Sequence, residues 1–143
     1  MTDLSVQIER KENPTVAGLD PKLDYVPEVY KKNARVEKYG DTLEAAADAL
    51  FDILTKGLID FSFAMLLAAV KPQCAYYEMY GWQGVKALYD TIAYAKEKGL
   101  FVITDGKRND IGTTMEAYAA AHIGKTEAFG KTFESFFRRC PHG

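Results

Sequence analysis

Cysteine is scarce in this chain. Its two residues, Cys74 and Cys140, show no metal-site or redox spacing, which excludes a disulfide framework and a dithiol motif and points to a reduced, cytoplasmic setting. An excess of basic charge is also missing. Lys and Arg number 18 against 20 Asp and Glu, a net charge of −2, so no basic face marks a nucleic-acid surface. Long hydrophobic runs are absent too. The longest, Phe61 to Val70, is too short for a membrane span. The opening MTDLSVQIERKE has no apolar core and does not read as a signal peptide. Histidine occurs twice, His122 at a predicted helix end and His142 in the tail. Neither has a Cys or Asp arrangement that suggests a triad.

What is present fits one globular domain over residues 1–143, since 48% of the residues are hydrophobic and the length supports a reasonable core. Three short β-type runs alternate with longer helical patterns. The first run is Thr15–Asp20, followed by a polar stretch with two prolines and one short helix. Asp41, three residues before Glu44, forms a capping-box pattern. Leu43, Ala46, Ala47, Leu50, Phe51, Leu54 and Leu58 then give a helix one apolar stripe. The second run, Leu67–Lys71, is expected to close at Pro72, which cannot continue a ladder. Val85, Leu88, Ile92 and Ala95 mark a helix over 82–98, with Gly99 as its C′ residue. The third run is Leu100–Thr104, and a last helix is predicted from Thr113 or Thr114 to about Gly124. The aromatic group Tyr76, Tyr77, Tyr80 and Trp82 reads as packing. Strands joined through helices lie parallel in one sheet with right-handed crossovers. Their apolar character fits strands covered on both faces.

In parallel α/β folds, sites form beyond the carboxyl ends of the strands. Each run here ends in charge: Asp20, Lys71, and Asp105 followed by Lys107. If the strands are neighbours, these side chains meet on one rim. Asp105 and Lys107 are two apart, so an extended backbone points both to one side, while Asp110 lies beyond a turn and aims elsewhere. A lysine between carboxylates stays protonated, which makes it a proton donor to a developing carbanion. The adjacent carboxylate can repel an anionic substrate group whose loss relieves the repulsion. That chemistry needs neither metal nor cofactor. Taken alone, D-x-K-x-x-D is usually a solvated loop of ion pairs, each worth under about 1 kcal/mol.

VAGLDP, AVKPQCAYYEMYGWQGV and VITDGKRNDIGTT together resemble the orotidine 5'-phosphate decarboxylase family, in its bacterial subgroup with the K-P-Q signature. The hallmark D-x-K-x-x-D-I-x-x-T is met by Asp105, Lys107, Asp110, Ile111 and Thr114. The resemblance implies a (β/α)8 barrel of TIM type, of which this chain carries the first three or so β/α units. It implies cofactor-independent conversion of orotidine 5'-monophosphate to UMP and CO2. By motif, Lys107 protonates C6, Asp105 crowds the substrate carboxylate, and Lys71 joins the charged network and contacts the ribose hydroxyls, as does Asp20. Asp110, Ile111 and Thr114 reach the partner's site in a homodimer with shared active sites. A related keto-gulonate phosphate decarboxylase shares D-x-K-x-x-D, but K-P-Q and YGWQG favour the nucleotide enzyme. A catalytically silent fragment, acting at most as an assembly partner, is the alternative from another class.

A barrel of this type takes about 250 residues, so a truncated chain is expected, with residues 136–143 an atypical tail. FRRCPHG, Phe137 to Gly143, becomes Phe-Asp-Ala-Ala-Leu-Thr-Val when one base is removed from a suitable codon set. That is a strand-like run, so a shifted frame is one reading of the tail, and a natural or engineered short terminus is the other. Sequencing the reading frame beyond Ser135 tests the shifted frame, and a clean stop with no barrel sequence downstream rejects it.

Overall fold

The structure is a computed structural model that describes residues 4–34, 39–134 and 136, with the backbone alone at 54–56. The Leu54 side chain and the tail from Phe137, with Cys140 and His142, lie outside these residues. The chain divides into two compact units, Met1–Asp105 and Gly106–Gly143.

The first unit is built on three parallel strands in the order β1-β2-β3: β1 (Val16–Leu19), β2 (Ala69–Pro72) and β3 (Phe101–Val102). Val16 pairs with Ala69 and Leu19 with Pro72, while Val70 pairs with Val102. The parallel α/β expectation therefore holds, and the strand positions are close to those read from the sequence. Pairing continues past β3, because Ile103 N–H donates to the Val70 carbonyl at 2.9 Å and Asp105 bridges Gln73 in parallel. One expectation fails at Pro72, which does not stop the ladder. It is the last residue of β2, and its carbonyl accepts from Asp105 N–H at 3.0 Å. Proline lacks only the donor, so its acceptor remains usable at a strand end.

Helix α1 (Leu4–Lys11) precedes β1 and has no counterpart in the sequence reading. After β1 come a 3₁₀ turn (Leu23–Tyr25) and α2 (Glu28–Ala34). Helix α3 (Leu43–Asp52) starts at Thr42, whose hydroxyl accepts from Ala45 N–H at 3.2 Å. The cap is thus Thr42 rather than Asp41. The apolar stripe holds at Ala46, Ala47 and Leu50, which are buried; Leu43 is exposed at the first turn, and Leu58 is exposed beyond the helix. The cause at Leu58 is a π-helical segment, Ile53–Ile59, that leads into α4 (Asp60–Ala64). A π segment adds one residue per turn to the ladder, so Ile59 and Ser62 become the inward positions.

Two further helices follow β2: α5 (Cys74–Glu78) and α6 (Gly81–Glu97). Leu88, Ile92 and Ala95 are buried as the 3.6-residue period requires. Gly99 has φ +72, with its N–H on Lys96 and that of Leu100 on Ala95, a Schellman-type end. The alanine-rich face of α3 packs on α6 and α2, around Val26, Ala45, Ala49, Leu50 and Tyr80. Tyr77 and Tyr80 are buried as expected, but Trp82 is 68% exposed and does not serve as packing.

The second unit holds α7 (Gly112–His122) and an antiparallel hairpin, β4 (Lys125–Ala128) with β5 (Lys131–Glu134). The helix matches its predicted range, whereas the hairpin was not anticipated. Phe129 and Gly130 at its tip have φ +53 and +70, the two left-handed residues of a type I′ turn. His122 ends α7 and stacks on Phe136 at 5.0 Å.

Candidate active site

The carboxyl ends of the three parallel strands bring polar groups together. Strand β1 delivers Asp20 one residue past its end, at the register level of Gln73, since Leu19 pairs with Pro72. Gln73 in turn bridges Asp105. The β1 exit is held from behind, because the buried Tyr80 hydroxyl accepts from Leu23 N–H at 3.1 Å. Burial holds the Tyr77 phenol on α5 well above its usual range, with the nearby Asp20 carboxylate adding to the shift.

Strand β2 supplies Lys71, and Gln73 follows one residue past its end, two residues from Lys71 and so on one face. Lys71 Nζ lies 3.4 Å from Asp105 Oδ2, and Gln73 Nε2 donates to the same oxygen at 2.9 Å. The side chains of Lys71 and Asp105 are 36% and 29% exposed. A pair so open to water stabilises the fold by under about 1 kcal/mol. Its interest is therefore chemical: a carboxylate held between a cation and an amide at a strand end. On the Lys71 face, a Cβ added to the neighbouring Gly18 meets nothing within 4 Å, so that side of β1 is open.

Of the residues singled out in the sequence, Lys71 and Asp105 are in contact, and Asp20 lies at the same end of the sheet. Lys107, Asp110, Ile111 and Thr114 belong to the second unit. Lys107 is exposed with φ +46. The extended backbone expected between Asp105 and Lys107 is not found, because the ladder ends at Asp105 and Lys107 is left-handed. For a residue with a Cβ this conformation costs about 1 kcal/mol, and such strain concentrates at functional sites. Arg108 braces the same loop, its Nη1 donating to the Gly106 carbonyl at 2.6 Å and its guanidinium lying 5.9 Å from the Tyr118 ring. Asp110 Oδ1 accepts from Ile111 N–H at 2.8 Å, while Ile111 caps α7 and Thr114 sits in its first turn, both exposed. Sequence reasoning gave Gln73 no role. With the ladder expected to stop at Pro72, nothing in the sequence pointed to it.

A cavity of about 400 Å³ lies elsewhere, among Arg10, Lys11, Lys98 and Gly99. Lys11 there donates to the Leu67 carbonyl at 2.8 Å, and Lys98 pairs with Asp60. These residues precede β2 and β3, at the opposite end of the strands from Asp105.

A family profile described as "Orotidine 5'-phosphate decarboxylase / HUMPS family" matches residues 58–132, just over half of the chain. The chain belongs to this family. Within the orotidine 5'-phosphate decarboxylase / HUMPS family, a curated orotidine 5'-phosphate decarboxylase of Rhodopirellula baltica is 40% identical over 126 residues, covering 88% of this chain and 40% of that protein. One from Caldicellulosiruptor saccharolyticus is 33% identical, covering 90% and 41%. The crystal structure of a Streptomyces avermitilis protein, provisionally assigned as orotidine 5'-phosphate decarboxylase, superposes with TM-score 0.59 at 30% identity, over 82% of this chain and 36% of that one. A Toxoplasma gondii structure with the same provisional assignment gives 0.63 at 27% identity, over 84% and 35%. The chain spans about two fifths of the length of these curated relatives. Its parallel sheet and helices correspond to part of their barrel.

Proposed function

We propose that the strand-end cluster serves the decarboxylation of orotidine 5'-monophosphate to UMP and CO2, without metal or cofactor. The observation that carries this reading is the Lys71–Asp105 contact at the ends of adjacent parallel strands, in a chain of this family. In the reaction the bond from C6 to the carboxylate breaks, its electron pair stays on C6, and CO2 departs. The Lys107 ammonium supplies the proton that C6 takes up. The Asp105 carboxylate, beside the Lys71 ammonium, crowds the substrate carboxylate, so that loss of CO2 relieves like-charge repulsion. That interaction differs between ground and transition states, which is the kind that raises turnover. Lys71 and Asp20 take the ribose hydroxyls. Asp110, Ile111 and Thr114 act on the partner's substrate in a homodimer. Their position beyond the left-handed Lys107, at the start of α7, is compatible with that division of labour.

The test follows the absorbance of orotidine 5'-monophosphate with purified protein. The wild type is expected to consume it, and Lys107→Ala to be slower by about 10²–10⁴-fold, the range for loss of a general acid. Full activity in Lys107→Ala removes Lys107 from its role. An inert wild type favours the other reading, a chain that acts only as an assembly partner.

A further inference from the structure

The geometry points to Gln73 as the positioning residue of this site, the group that fixes the Asp105 carboxylate in place without neutralising it; the inference deepens the decarboxylase reading and rests on it for its functional meaning. Asp105 Oδ2 receives two side chains, one from β2 and one from the residue after it, and the Gln73 amide at 2.9 Å is nearer than the Lys71 ammonium at 3.4 Å. A carboxylate only accepts, so the amide must present its NH2 to this oxygen.

The backbone makes the arrangement rigid. Gln73 N–H donates to the Leu19 carbonyl at 3.2 Å, tying it to β1 one residue before Asp20. On the other side Asp105 N–H donates to the Pro72 carbonyl, and the Asp105 carbonyl accepts from Cys74 N–H at 3.1 Å. The residues before and after Gln73 therefore hold the Asp105 main chain, while Gln73 holds its side chain. Gln73 itself is extended, with φ −89 and ψ 109, which puts its side chain on the face of Lys71.

The chemistry explains why an amide suits this position. A carboxylate that acts by repelling an anionic group must keep its charge and its orientation together. A second Lys or Arg would orient it but cancel the charge. An apolar residue would remove this hydrogen bond and leave the orientation of the carboxylate less restricted. A neutral donor restricts the rotamer and favours the ionised form through its hydrogen bond, adding no charge of its own.

The experiment uses the unliganded full chain, labelled for NMR, and needs no turnover. In the wild type, the Gln73 side-chain amide signals are expected to move with the titration of the Asp105 carboxyl carbon, at the same midpoint. In Gln73→Met, which keeps the length of the side chain but cannot donate, that midpoint is expected to rise by about one pH unit, as loss of one hydrogen bond to a charged, partly exposed group implies. Lys71 on β2, Asp20 beyond β1, and Lys107, Arg108 and Asp110 after Asp105 are the same in both proteins. Gln73 signals that stay flat while Asp105 titrates overturn the inference, as does an unchanged midpoint in a folded Gln73→Met. If that variant does not fold, the wild-type titration decides alone. An inactive protein that passes this test defeats the decarboxylase reading and leaves the Gln73 contact standing. An active protein with flat Gln73 signals does the reverse.

Discussion

Asp60 on α4 accepts from the Tyr94 hydroxyl at 2.8 Å and pairs with Lys98 at 3.0 Å. The hydrogen bond from Lys98, then that from Tyr94, holds its carboxyl below the usual range. Lys98 is raised in return, by Tyr94 first and then by Asp60. A depressed carboxyl stabilises the fold above its unfolded value of about 3.9 and loses that contribution as pH falls through the folded one. The raised Lys98 contributes below about 10.4 and loses its part only as pH climbs beyond that. Glu44, lowered chiefly by the Gln83 amide 2.7 Å away, adds to the acid-side loss. The urea midpoint of the wild type should therefore fall between pH 5 and pH 3, and fall less in Asp60→Asn. Equal falls in the two proteins would refute this assignment. The same single-residue view separates what the sequence could disclose of the site from what it could not. Lys71 and Asp105 were readable because all three apolar runs end in charge. Gln73 was hidden by its chemistry: an uncharged amide after a proline resembles a turn, and only the observed ladder past Pro72 puts it opposite Asp105.

Helix α6 begins in contact with the backbone of α5. A Cβ built on Gly84 would lie 1.9 Å from the Tyr77 carbonyl oxygen and 2.9 Å from Tyr80 Cβ. Neither neighbour can yield without moving α5, and α5 follows directly from Gln73. Gly84→Ala should cost about 2–3 kcal/mol, as overpacking does, and lower the urea midpoint accordingly; an unchanged midpoint would contradict the close packing. Such an approach cannot be read from YGWQG, where Gly84 looks like one more small residue inside a helical pattern. The α6 stripe itself was legible because its 3.6-residue period runs without interruption from Val85 to Ala95. The period of α3 was legible only as far as Phe51. The π segment at Ile53–Ile59 then shifts the face by a residue, and nothing in ILTKGLI announces that shift. Thr42 displaced Asp41 as cap for a related reason: both carry a side-chain oxygen suited to an N-cap, and the two positions differ by a single step.

The three parallel strands set the level of the whole site. Their order β1-β2-β3 puts Lys71 on the central strand and Gln73 just past its end, with Asp20 and Asp105 beyond its neighbours. That arrangement was the most legible feature of the chain, because strand–helix alternation leaves few parallel topologies. The hairpin of β4 and β5 was not legible. Its strands carry Lys125, Glu127, Lys131 and Glu134 in place of the apolar runs that marked the other three, and its turn is Phe-Gly, outside the usual Asn-Gly and Asp-Gly signals. Among the described residues no strand pairs with the outer edges of β1 or β3, and the curated relatives are more than twice as long as the matched region. Whether these strand ends already recognise a nucleotide is thus the central question. Titration of the isotopically labelled chain with UMP, followed by backbone amide shifts, answers it most directly. The amides of Asp20, Lys71, Gln73 and Asp105 are expected to move together with a single dissociation constant. Saturating UMP that leaves those four unmoved, or shifts only residues around Arg10 and Lys98, would contradict the placement of the site.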